Sequence, residues 1–168
     1  MGKTYLLLGG NIGDRIMHLR MARQKVHDLI GKPVSVSSVF ETQPWGFVHK
    51  TNFLNQLIIV RTFLSPEQVM EKIREIEQHL GRIRDEKQYT ERTIDIDILF
   101  YDDLILNKKD LTIPHPQLHK RSFALVPLAE LEPGLVHPVF KKTIKTLLNE
   151  CPDTMKVNKQ EGLSTKPL

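Results

Sequence analysis

The chain has 168 residues, 40% hydrophobic and 26% charged, with 24 basic side chains against 20 acidic ones for a net charge of +4. That length suits one compact domain with a sizeable core, and the charge suits anionic small molecules while being too weak to point to nucleic acid. Cys151 is the only cysteine, which excludes an internal disulfide and a thiolate metal cluster.

The opening MGKTYLLLGGNIGD holds only a short apolar run. It is unlike a secretory signal, and no segment reaches membrane-spanning length, so a cytoplasmic protein with no membrane partner is expected. Residues 4–8 read as a buried strand ending at Gly9-Gly10. Residues 9–14 join that strand to a helix, as a phosphate loop would, but match neither the Gly-Lys-Ser/Thr nor the G-x-G-x-x-G fingerprint. They read as a turn and a helix cap. Asp14 caps a helix whose apolar positions Ile16, Leu19, Ala22, Val26 and Leu29 recur at three- and four-residue steps. Gly31 and Pro33 are expected to end it.

Residues 34–40 and 53–63 are rich in β-branched and aromatic side chains and predict two strands. Between them, Thr42-Gln43-Pro44-Trp45-Gly46-Phe47 is a turn-rich loop carrying the only tryptophan. It reads either as an aromatic anchor for its own loop or as the cover of a ligand site. Asn55 interrupts the second apolar run, and a buried amide must find partners, which a heterocyclic ligand could supply. Ser65-Pro66-Glu67-Gln68 then gives a serine cap, proline at the first helical position and glutamine three residues after the cap. The stripe Val69, Ile73, Ile76 and Leu80 follows, closed by Gly81.

The next loop carries Arg82, Arg84, Lys87 and Arg92 among Asp85, Glu86 and Glu91. It reads as a solvated charged loop or as a phosphate-binding one, since arginine donates bidentately and stays charged. It runs into ERTIDIDILF, whose period-two alternation is a strand pattern. Asp95 and Asp97 share a face, roughly 6–7 Å apart. Their apolar neighbours Ile94, Ile96, Ile98, Leu99 and Phe100 predict a central strand, where two carboxylates need cations. Mg²⁺ or neighbouring arginines would serve, and spacing alone leaves both open. A basic loop feeding an aspartate pair has the parts of a Mg-nucleotide site.

Turns and prolines follow from Leu104. His115 sits between Pro114 and Pro116, ahead of His119, Lys120 and Arg121. A loop hydrogen-bonding histidine fits better than a zinc ligand, because no helix-borne histidine pair accompanies it. A short helix is predicted near residues 143–149, then a polar, aperiodic tail over 152–168 that should be loosely held. Strand, helix, strand, strand, helix, strand predicts one α+β domain over residues 1–151. Its helices should be segregated over a mainly antiparallel sheet, in the ferredoxin-like βαββαβ arrangement.

The stretches LLLGGNIGD, FETQPWG, NFLNQ, IEQHLGRIR, RTIDIDIL, PHP and RSFALVPLAEL, in that order over roughly the first 140 residues, resemble the 6-hydroxymethyl-7,8-dihydropterin pyrophosphokinases of folate biosynthesis. The resemblance implies transfer of pyrophosphate from ATP to the pterin's hydroxymethyl oxygen, with release of AMP. It makes Asp95 and Asp97 ligands of two Mg²⁺ ions and, with Arg82 and Arg92, the catalytic set. Glu77, Arg84, Tyr89, Arg92, Ile98, Thr112, His115 and Arg121 match positions around ATP. Thr42, Pro44, Trp45, Phe53, Asn55, Asp95 and Phe123 match the pterin pocket, where two rings sandwich the bicycle and the amide bonds its edge. Closure of the loops at 43–52 and 82–92 would exclude water. A monomer working on two small molecules, with no nucleic-acid partner, is implied. The chain departs from the family pattern at Tyr89-Thr90-Glu91, where aromatic-Gly-Pro is common, and at Pro116, where some members carry an aromatic residue.

Overall fold

A computed structural model describes residues 1–46, 48, 50–81 and 93–163. The N-terminal apolar run forms β1 (Gly2–Gly10), and α1 (Arg15–Leu29) follows. The Asp14 carboxylate accepts from the Met17 N–H at 3.0 Å, the expected cap. The helix ends at Leu29, ahead of Gly31 and Pro33 as expected, and Pro33 itself lies inside β2 (Lys32–Val36), which among the described residues pairs with β4 (Phe53–Thr62) alone and so tolerates a missing N–H.

The single strand expected over 34–40 is two pieces, β2 and β3 (Phe40–Thr42). The serines between them replace the ladder. Ser37 Oγ accepts from the Leu57 N–H at 2.9 Å, and the Ser38 N–H donates to Glu130 Oε1 at 2.6 Å. The reciprocal capping box of α2 (Pro66–His79) forms as its sequence predicts, between Ser65 and Gln68.

After β5 (Asp95–Tyr101) come a hairpin of β6 (Leu106–Lys108) and β7 (Leu111–Ile113), a 3₁₀ turn at Leu118–Lys120, then α3 (Ser122–Leu131), α4 (Ile144–Asn149) and β8 (Asn158–Lys159). No sequence signal marks α3. Its near-uniform apolarity leaves no amphipathic period, and Pro127 lies inside it.

The main sheet is antiparallel throughout its pairings, in the order β5-β1-β4-β3-β8, with β2 also on β4. β5 is therefore an edge strand rather than a central one. Its apolar richness reflects cover from elsewhere. Glu77 on α2 accepts from the Ile96 N–H at 3.0 Å, and the His115 N–H donates to the Leu99 carbonyl at 3.0 Å.

The class is α+β, but the helices lie on both faces. One core packs α1 and α2 against Leu6, Leu8, Ile58 and Ile96; the other packs α3 and α4 against Tyr5, Leu7, Leu57 and Phe100. A register shift opposite Leu99 turns both Leu99 and Phe100 into the second core. Part of the polar tail packs on the sheet as far as Leu163. β8 pairs with β3, the Gln160 N–H donates to the Val39 carbonyl at 2.8 Å, and Leu163 packs against the first core. Among the described residues no helix is long and apolar enough to cross a membrane.

Candidate active site

Three strands set the floor of the site. Asp95 on β5 pairs with Gly9 on β1, and Gly9 pairs with Asn55 on β4. Directly paired residues project to one face, so the carboxylate, a bare backbone and the amide stand in one row. A Cβ at Gly9 would meet Asn55 Oδ1 at 2.9 Å, so glycine makes the room this amide occupies. Asn55 is 4% exposed and donates through Nδ2 to Thr42 Oγ1 at 2.9 Å. That bond presents the Asn55 carbonyl oxygen toward Gly9. Phe53, half-buried, follows the same face of β4 two residues earlier.

Asp97 lies two residues along β5 from Asp95, and both are half-buried. Arg121 Nη1 approaches Asp97 Oδ2 at 3.9 Å. The same guanidinium lies 4.8 Å from the Trp45 ring and 5.7 Å from Phe123, and those two rings stand 6.4 Å apart, edge to face. One arginine thus links the carboxylate end of the site to its aromatic end.

His115 stands beside both charges. Burial above all, with the Arg121 charge adding to it and Asp95 opposing, brings its imidazole down to about 4. It is neutral near pH 7, with Nδ1 accepting from the Gln117 N–H at 3.1 Å, which leaves the proton on Nε2.

The turn at residues 9–14 anchors the Trp45 loop. Asn11 Nδ2 donates to the Thr51 carbonyl at 3.4 Å, and Arg15 Nη1 bonds Glu41 Oε2 at 2.7 Å and the Asn52 carbonyl at 2.8 Å. Both ends of that loop are held by the segment after β1. Pro44 lies half-buried within it.

Other expected residues sit further out. Glu77 is 2% exposed with its carboxylate on the edge of β5, so it carries the strand that bears the aspartates. The Ile98 side chain belongs to the core packed by α1 and α2, leaving its backbone to face the same outer edge as that of Ile96. Thr112 is half-buried on β7. Arg82, Arg84, Tyr89 and Arg92, with the whole Tyr89-Thr90-Glu91 departure, lie outside the described residues. Among those described, no cluster of three or more His, Cys, Asp or Glu side chains forms a metal cage. Two strand carboxylates suit a cation that takes the rest of its shell from water and phosphate oxygens. Gly9, Asn11 and Arg15 build the site without standing out as site residues in the sequence. Glycine inside a strand is the one signal that points to them.

A profile of the 7,8-dihydro-6-hydroxymethylpterin-pyrophosphokinase (HPPK) family matches residues 5–133. The 2-amino-4-hydroxy-6-hydroxymethyldihydropteridine pyrophosphokinase of Aquifex aeolicus is 39% identical over 145 residues, covering 86% of this chain and 89% of that protein. The Bacillus subtilis protein of the same name is 40% identical over 129 residues, covering 76% and 77%. Among solved structures, Plasmodium falciparum HPPK-DHPS with pteroate superposes with a TM-score of 0.75 at 18% identity, over 89% of this chain and 44% of that one. The chain thus spans less than half of that structure, and the likeness there is one of fold.

Proposed function

The chain belongs to the 7,8-dihydro-6-hydroxymethylpterin-pyrophosphokinase family, and from that premise we propose that it transfers pyrophosphate from ATP to the hydroxymethyl oxygen of 6-hydroxymethyl-7,8-dihydropterin, releasing AMP. The observation that supports this is the row Asp95–Gly9–Asn55, in which a carboxylate and an amide stand in line on one face of the sheet.

Asn55 and Thr42 bond the edge of the pterin, while Phe53 and Phe123 stack on its faces, with Pro44 and Trp45 over the pocket. Asp95 and Asp97 would hold two Mg²⁺ ions, which when bound would neutralise the phosphate oxygens of ATP. Arg121, which lies beside Asp97, turns its fork to the phosphates. His115, neutral and with its proton on Nε2, bonds a phosphate oxygen without adding a second cation. Arg82, Arg84 and Arg92 complete the phosphate contacts. Tyr89, Thr112, Glu77 and the Ile98 backbone line the nucleotide side. Alignment of hydroxyl and β-phosphorus, together with fixed charge, supplies the rate enhancement without a covalent intermediate on the protein. Residues 1–151 carry the catalytic and binding side chains, in a cytoplasmic monomer.

Phosphorus NMR of the purified protein with ATP, Mg²⁺ and the pterin tests the proposal. AMP appearing with a pterin diphosphate is the expected result. ADP, or no turnover, would overturn it.

A further inference from the structure

We propose that Asp153, in the C-terminal tail, is the positioning residue for Arg121 and Phe123, an inference that rests on the pyrophosphokinase reading of the site. These two site residues flank Ser122, the first residue of α3. A helix start leaves its first N–H groups without intrahelical acceptors, and the residue before it ordinarily supplies one. Here that residue is Arg121, whose side chain makes no capping hydrogen bond. It lies instead over Trp45 and Phe123, toward Asp97. The capping position has been given to the site.

The missing acceptor comes from a residue 31 positions further on. Asp153 Oδ2 accepts from the Ser122 N–H at 3.0 Å and from Ser122 Oγ at 2.7 Å. Its other oxygen accepts from the Met155 N–H at 3.0 Å, which fixes the carboxylate plane. Ser122 is 5% exposed, so these bonds are sheltered. A carboxylate is also the charge a helix N-terminus favours.

The segment carrying Asp153 is fastened beyond it. β8 pairs Asn158 and Lys159 with Glu41 and Phe40 of β3, and Lys159 Nζ lies 3.7 Å from Glu130 Oε2. β3 ends in Thr42, the partner of Asn55. One tail therefore grips both walls of the pocket, the amide side through β8 and the arginine–aromatic side through Asp153. Its placement sets the angle at which Arg121 and Phe123 leave the backbone.

Asp153→Ala and Asp153→Asn test this, read by steady-state kinetics and by the fluorescence of Trp45, the only tryptophan, which Arg121 and Phe123 touch. Asp153→Ala is expected to raise the pterin KM roughly tenfold, the scale of a lost helix cap, and to shift Trp45 emission in the free protein. Asp153→Asn, which keeps one acceptor oxygen, should recover most of both. A folded Asp153→Ala protein with wild-type pterin KM and wild-type emission would overturn the proposal. So would a lower Tm with neither readout changed, since the contact would then be a structural tie alone. Should the alanine variant not fold, Ser122→Ala, which removes the 2.7 Å hydroxyl bond to Asp153, is read instead, and unchanged KM and emission there would overturn the proposal equally. If the wild-type protein forms no AMP, the pyrophosphokinase reading fails, and the emission of the ligand-free variants alone decides the positioning.

Discussion

A methyl group on Gly9 would press on Asn55 Oδ1 from 2.9 Å, while the amide is held from its other side by Thr42. Gly9→Ala should therefore displace the amide and leave the carboxylates in place. The expected result is a pterin KM raised by roughly tenfold, about the worth of one hydrogen bond between amide and ring. Binding of a non-hydrolysable ATP analogue should change little, and titration calorimetry with each ligand separates the two. Asp95→Ala and Asp97→Ala belong at the other end of the row. Both side chains are half-buried on an edge strand, so the fold should survive. AMP formation should fall by roughly 100-fold or more, as when a group facing developing charge is removed. Turnover retained in both variants, with circular dichroism unchanged, would end the metal-ligand assignment.

At the scale of elements, β5 depends on α2 for its outer edge. Glu77→Leu removes the acceptor of the buried Ile96 N–H, and an orphaned donor costs about 1–3 kcal/mol. Glu77→Gln keeps a carbonyl oxygen in reach and should lose much less. Urea midpoints of the two variants measure the difference. Legibility in the sequence follows the same logic of what each element buries. β1, β4, α1 and α2 show themselves through apolar runs, periodicity and caps, because each meets the core in a regular way. α3 buries nearly its whole surface and carries Pro127, which erases the period and mimics a stop. β5 reads as central because burial under Glu77 and the His115 segment imitates a neighbouring strand. Within the site, Asp95, Asp97 and Asn55 stand out because polar groups in apolar strands need partners. Asp153 does not, since its partner is fixed only by the closed fold.

The molecule as a whole should lose stability in mild acid. His137 is 3% exposed, packed against Phe100 and Phe140, and its Nδ1 accepts from the Val139 and Phe140 N–H groups at 3.2 and 3.3 Å. Burial, with the nearby His119 charge adding to it, brings it down to about 4 from 6.5. The unfolded chain therefore binds more protons between those values, and stability rises with pH across them. The contribution is complete above pH 6.5 and is lost progressively toward pH 4, at about 1.36 kcal/mol per pKa unit. Half-buried His115, with the same direction of shift, adds to the slope. Tm should be flat above about pH 7 and fall below about pH 6.5. His137→Asn, which keeps an acceptor but cannot take the proton, should show a shallower fall.

The row across β5, β1 and β4 also works as a ruler. Strands lie about 4.8 Å apart, so the carboxylate and the amide are held about 10 Å from each other by backbone hydrogen bonds that no ligand can stretch. On the proposed function, with the flat ring pinned at the amide, reach becomes a matter of arm length. An acceptor whose alcohol arm is one carbon longer would carry its oxygen past the reacting phosphorus, where an error of about 1 Å can cost a hundredfold in rate. Such a homologue should bind nearly as well as the natural acceptor and react far more slowly, the outcome expected where the sheet's own spacing selects the alcohol.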